Sequence, residues 1–86
     1  MKILYSRDAL KFLAKLDAKS VNRIRSAIRG LICSPPVGDI RPLQGFSDGR
    51  KRLRTGGWRV IFRYDGDGEL EVLLILDIGN RGDIYK

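Results

Sequence analysis

The sequence contains no histidine, one cysteine, one tryptophan and no apolar run long enough to cross a membrane. Without histidine the commonest general base is missing, so acid–base chemistry falls to carboxylate, tyrosine, lysine, arginine or the substrate itself. The lone Cys33 cannot close an internal disulfide and, with no histidine or second cysteine beside it, cannot anchor a conventional zinc site. This fits a reducing cytosol and reads Cys33 as a small core residue. The longest aliphatic run, Val72 to Leu76, is far shorter than a membrane span, and the N-terminal MKILYSRDALKFL meets charge before any long apolar segment develops. A soluble, cytoplasmic chain without membrane partners is expected.

Repeats, low-complexity tracts and long linkers are also lacking, so the 86 residues read as one domain spanning 1–86. A chain of this size buries only about 60–65% of its unfolded surface, and its core is modest.

Positive charge is what the sequence does have: 17 lysines and arginines against 10 carboxylates, a net charge of +7. Charge of that sign favours a polyanionic partner without choosing between nucleic acid, anionic lipid and acidic protein. Its distribution says more. Arg50, Lys51, Arg52, Arg54, Arg59 and Arg63 fall together, and Asp65, Asp67, Glu69 and Glu71 follow at once.

KILYS reads as an opening strand. Ser6 can cap a helix with Asp8 in its first turn and Leu10, Leu13 and Leu16 on its apolar face. A second helix is expected after Asp17, with Val21, Ile24, Ile28 and Leu31 at three- and four-residue steps, stopped by Ser34-Pro35-Pro36. After a loop through Gly38, Pro42 and Gly45, the period changes to two. Residues 50–55 and 58–64 flank Gly56-Gly57, a pair suited to a two-residue hairpin turn; Asp65-Gly66-Asp67-Gly68 makes another turn, and Glu69 to Ile78 a third strand. The elements predict an α+β domain, a helical hairpin packed on an antiparallel sheet.

The turn fixes a register: Thr55 faces Trp58, Arg54 faces Arg59, Leu53 faces Val60, Arg52 faces Ile61, Lys51 faces Phe62 and Arg50 faces Arg63. Alternation then puts Arg50, Arg52, Arg54, Arg59, Ile61 and Arg63 on one face, with Leu53, Val60, Phe62 and Trp58 on the other. Lys51 falls on the second face. Unit charges about 5 Å apart repel by roughly 0.8 kcal/mol even at the dielectric of water. Folding alone gives little reason for such a face beyond deterring edge aggregation. Arginine forks match phosphate geometry, so the face points to phosphate binding.

The ordered set of a short strand, two helices, RPLQGF, RLRTGGWRVIFRYD and LILDIGNRGDIY resembles the RelE/ParE superfamily of bacterial type II toxins over nearly the whole chain. The resemblance implies the microbial ribonuclease-like (RelE-like) fold, with an N-terminal strand and helical hairpin on a bent antiparallel sheet. RelE-like members cleave messenger RNA in the ribosomal A site; ParE-like members share the fold and inhibit DNA gyrase instead, which is the alternative reading. By resemblance to the RelE branch, Arg52, Arg59, Arg81 and Tyr85 are the candidate catalytic residues, and Arg50, Lys51, Arg54 and Arg63 the candidate RNA-binding ones. It also implies a cognate antitoxin partner and a mechanism needing no metal or other cofactor. Structural roles compete at several positions: Arg59 pairing with Asp65 or Asp77, Arg81 holding the carbonyls of its own turn, Tyr85 as an ordinary aromatic near the chain end. Arg50 and Arg52 stand where RelE has lysines, and Asn80 precedes Arg81 where many relatives have histidine or lysine.

Overall fold

The structure, a computed structural model, describes residues 1–67 and 70–80. Its elements run β1 (Lys2–Tyr5), α1 (Arg7–Ala14), α2 (Ala18–Arg29), a 3-10 turn (Gly30–Ile32), β2 (Asp39–Pro42), β3 (Lys51–Thr55), β4 (Trp58–Asp67) and β5 (Leu70–Asn80). The strands form one sheet in the order β1-β5-β4-β3-β2. The β2–β3, β3–β4 and β4–β5 pairs are antiparallel, while β1 joins the edge parallel to β5, from Lys2↔Val72 to Tyr5↔Ile75. The sheet is therefore mixed, and β5 is an interior strand. Within its apolar run Leu73 and Ile75 are fully buried in the core, while Val72, Leu74 and Leu76, which alternate with them, are half-buried.

Ser6 makes the joint between sheet and helices. Its Oγ accepts from the Ala9 N–H at 3.0 Å, capping α1, and donates to the Leu76 carbonyl at 2.7 Å, while its N–H donates to the Ile75 carbonyl at 2.8 Å. Ser6→Ala is expected to cost about 1–2 kcal/mol through the lost cap and the stranded carbonyl, read as a lower denaturant midpoint with unchanged slope.

The buried face of α1 is Ala9 and Leu13, flanked by Phe12 and Leu16, and Leu10 stands 49% exposed. The expected Leu10-Leu13-Leu16 stripe is thus rotated by one position. The small Ala9, four residues before Leu13, sits where α1 meets the sheet. α2 buries Ile24 and Ile28 as its spacing predicts, and Leu31 is buried from the 3-10 turn. Gly30 lets the chain fold back closely: its carbonyl accepts from the Val37 N–H at 2.9 Å, and a Cβ there would lie 3.0 Å from the Val37 oxygen. Cys33 is exposed rather than in the core, because the helix has already ended there and its backbone turns extended.

β2 was expected as loop. Its Pro42 is tolerated because β2 is an edge strand, where one missing amide costs no inner ladder bond. The hairpin register agrees with expectation from Lys51↔Phe62 to Thr55↔Trp58. Of the two turn glycines only Gly56 takes a positive φ, +56°, as in turns whose first central residue alone is left-handed. β4 and β5 pair beyond their expected ends, to Asp67↔Leu70 at one end and Trp58↔Asn80 at the other. The register slips between Ile61↔Asp77 and Phe62↔Ile75, leaving Leu76 as an extra residue that bends the sheet. Leu53, Val60, Phe62, Leu73, Ile75 and Ile78 pack against the helices in one core. Among the described residues no helix covers the opposite face of the sheet, although Arg52 and Ile61 on it are buried. Among the described residues, no helix is long and apolar enough to cross a membrane.

Candidate functional site

On the open face, β2, β3 and β4 set two rows side by side. Asp39, Arg54 and Arg59 are cross-strand partners in one, and Arg41, Arg52 and Ile61 in the next. Arg41, Pro42, Leu43, Arg52, Arg54 and Arg59 line a shallow depression of about 320 Å³. Four guanidinium-bearing residues thus border one hollow. Arg54 and Arg59 stand directly opposite, where like charges repel.

Arg52 occupies the floor. It is the buried charged residue of the described core, only 5% exposed, and Ile61, 4% exposed, is its partner on the next strand. Its Nη2 lies 3.7 Å from Asp39 Oδ1, and Arg41 Nε lies 4.0 Å from the same oxygen. Its Nη1 is buried with no hydrogen-bond partner among the described residues. One half-exposed carboxylate therefore serves two guanidinium groups, those of Arg41 and Arg52. A buried donor left without an acceptor is costly for stability alone, and an entering anion would satisfy it.

A second cluster lies beside the first. Arg50, just before β3, donates to Asp48 through Nη2 at 2.8 Å and Nε at 3.0 Å, and its guanidinium carbon stacks 4.2 Å above the Phe46 ring. Arg63 Nε reaches Asp48 at 3.8 Å, and its Nη1 reaches Asp65 at 3.6 Å. The expected Arg50–Arg63 cross-strand pair is absent from the described ladder, which stops at Lys51↔Phe62. Asp48 lies two residues upstream and also accepts the Arg50 backbone N–H at 3.2 Å, an Asx-type turn that takes Arg50 out of the strand. The Arg50 hydrogen bond holds the Asp48 carboxyl at about 2, below its ordinary 3.8. A depressed folded-state pKa contributes stability that is full above the unfolded value and lost as pH falls through the folded one. The melting-temperature advantage over Asp48→Asn should therefore be constant above pH 5 and shrink between about pH 4 and 2.

Lys51 lies on the helix-packed side, its Nζ 5.7 Å from the centre of the Tyr64 ring, whose hydroxyl donates to the Leu31 carbonyl at 2.7 Å. The structure thus brings Arg52, Arg54 and Arg59 together, puts Arg50 and Arg63 in a neighbouring ion-pair cluster, and sets Lys51 on the other face. Arg81 and Tyr85 lie outside the described residues. Arg41 is the lining arginine that the sequence reading missed. The alternation of Asp39, Ile40 and Arg41 was the available signal, hidden by the prolines and glycines around it.

The family model described as the ParE toxin of type II toxin-antitoxin system, parDE, matches residues 3–85. The chain belongs to the ParE toxin family. It is a type II toxin of the RelE/ParE superfamily, and its fold agrees with solved members. The YoeB/ParE toxin from Agrobacterium tumefaciens is 25% identical, with a TM-score of 0.77 over 94% of this chain and 99% of that one. The archaeal RelE in complex with RelB from Pyrococcus horikoshii is 26% identical, with a TM-score of 0.69 over 95% and 96%. RelE of the intact Escherichia coli RelBE toxin-antitoxin complex shares the fold at 22% identity and a TM-score of 0.62, over 93% and 95%. No curated protein matches the chain. In this toxin the two stretches of chain that carry the hollow, 39–43 and 51–59, are both inside the matched segment.

Proposed function

We propose that this toxin is a ribosome-dependent messenger RNA endoribonuclease whose arginine hollow holds the scissile phosphate. The observation that carries the reading is the convergence of Arg41, Arg52, Arg54 and Arg59 on one depression, with Arg52 Nη1 buried and lacking a partner among the described residues. The ribose 2′-hydroxyl attacks the adjacent phosphorus while its proton leaves to a base. The bond to the 5′-oxygen of the next nucleotide breaks, and that oxygen takes up a proton. The products are a 2′,3′-cyclic phosphate and a 5′-hydroxyl. Guanidinium groups stay protonated at neutral pH and serve as fixed charges for the five-coordinate transition state, each preorganised donor being worth about 10²–10³ in rate. Proton transfer falls to other groups, for which family resemblance nominates Tyr85 as base, with Arg81 orienting the phosphate. A base of that kind needs cations close by to favour its phenolate. A message held in reactive shape by the ribosome would offset so sparse an acid–base set.

The RelE relatives solved with RelB support a cognate antitoxin as the natural partner of this toxin. The second reading, a ParE-like gyrase inhibitor without RNA chemistry, is favoured by the description of the matched family. Adding the toxin to a translating extract and mapping message ends separates the two. Codon-phased cuts carrying 2′,3′-cyclic phosphate are expected; intact messages together with poisoned gyrase supercoiling would overturn the ribonuclease reading.

A further inference from the structure

The ion-pair cluster beside the hollow is built differently from the hollow itself. It belongs to the loop that joins β2 to β3, closed at its base where the Leu43 N–H donates to the Arg50 carbonyl at 3.2 Å. Leu43 lines the hollow, so the loop springs from the hollow's edge. The cluster also faces the same side of the sheet. Arg63 alternates with the buried Phe62 on β4 and so shares the face of Arg59 and Ile61, and its Nε comes within 3.8 Å of Asp48 in the loop. Arg63 is two residues along β4 from Ile61, which sets the cluster about 7 Å from the row that holds Arg52.

Both arginines of the cluster are matched by carboxylates, Arg50 by Asp48 and Arg63 by Asp48 and Asp65. Cations so paired have little attraction to spare for a phosphate. The aromatic ring beside them is the feature that folding leaves unexplained. Phe46 is 50% exposed and takes no part in the core, where such a ring would stabilise the fold most. One face of the ring is covered instead by the Arg50 guanidinium, whose carbon lies 4.2 Å from the ring centre. That guanidinium is itself held, its Nε and Nη2 donating to the two Asp48 oxygens at 3.0 and 2.8 Å. The ring is thus steadied by a stacked cation rather than by burial, and half of its surface stays in water. Single-stranded RNA is recognised by unstacked bases laid on aromatic side chains and on arginine planes.

We propose that Phe46, steadied by Arg50 and Asp48, is a stacking platform for a nucleobase of single-stranded RNA, the base next to the phosphate held in the hollow. This role rests on the ribonuclease reading and adds to it a contact with the base. Charge divides the labour: the arginines of the hollow take the phosphate, and the carboxylate-matched pair takes a flat, uncharged group. Every base has a π-face, so the platform accepts all four, and the wider purines cover more of the ring than pyrimidines do.

The test is fluorescence anisotropy with a labelled 2′-O-methyl oligoadenylate, which lacks the attacking hydroxyl and stays whole, beside an abasic strand of the same length and backbone. The parent toxin should bind the oligoadenylate at least about tenfold more tightly than the abasic strand, within the range of one stacked base. Phe46→Leu should cut that advantage by about tenfold and weaken binding of the abasic strand less than about twofold. Its log–log salt slope should be unchanged, since no phosphate contact is lost. Phe46→Trp should bind the oligoadenylate as tightly as the parent. If Phe46→Leu melts early, Arg50→Lys takes its place, keeping the charge and removing the planar partner, with the same loss of base dependence expected. Equal affinity of the parent for the two strands, or binding of neither, would overturn the proposal, as would unchanged affinity on substitution. So would equal weakening on both strands or a shallower slope, which would show that the loop merely supports the arginines. Message mapping is read separately: base-dependent binding without cleavage sinks the ribonuclease reading alone, and codon-phased cleavage with base-independent binding sinks the platform alone.

Discussion

Arg52→Met is expected to lower message cleavage by about 10²–10³ while leaving the melting temperature unchanged or higher. The two effects have one cause. Arg52 is 5% exposed and has a buried Nη1 without a partner among the described residues, so its charge is held in the sheet at a cost in folding energy. Methionine fills similar volume without that cost. Exchange of buried ionic groups for apolar ones is often neutral or stabilising, provided no charge is stranded. Asp39, the partner at 3.7 Å, is half exposed and can return to water or stay with Arg41. If Arg52 is the phosphate donor proposed above, its removal acts on rate alone. Cleavage timed in a translating extract, beside a thermal melt of the same preparation, checks both halves. A variant that cuts normally shows that Arg52 is no part of the site; one that unfolds shows that its burial is structural.

The second large effect is on the fold itself. Phe62→Ala is expected to cost about 3–5 kcal/mol, because the ring is fully buried and its loss leaves a cavity that packed neighbours fill only in part. Phe62 sits at the centre of the core, edge-on to Tyr64 with centroids 5.6 Å apart and an interplanar angle of 82°. It also sits beside the register slip, where β4 leaves Asp77 for Ile75. A domain of this size has only about 4–13 kcal/mol of total stability. The variant should melt well below the parent, and urea denaturation at low temperature should show the lower midpoint.

The hairpin was legible in the sequence because two local rules coincide there. Gly56-Gly57 fixes the turn and hence the register, and period-two alternation then separates Leu53, Val60 and Phe62 from Arg52, Arg54 and Arg59. α2 was legible for the same reason, its apolar spacing being unambiguous. What stayed hidden depends on chain segments far apart in sequence. The parallel seat of β1 against β5 joins residues about 70 apart, and no local pattern records it. β2 has four residues and ends in proline, so its strand character comes from pairing with β3 rather than from propensity. With β2 unread, Arg41 could not be placed in the hollow. Arg50 illustrates the opposite error: alternation put it opposite Arg63, but Asp48 captured its backbone and guanidinium before the strand began. The Leu10 position failed because Ala9 and Leu13, four residues apart, form the stripe that packs on the sheet, and Leu10 lies about 100° around the helix from Ala9.

The central claim is that these arginines act on a phosphate attacked by the neighbouring 2′-hydroxyl. The most direct measurement replaces the single ribose on the 5′ side of a mapped cleavage bond with deoxyribose. Cleavage should vanish at that bond and persist at unmodified sites in the same message. Continued cutting at the substituted bond would contradict the mechanism, and the absence of cutting at every bond would contradict the activity.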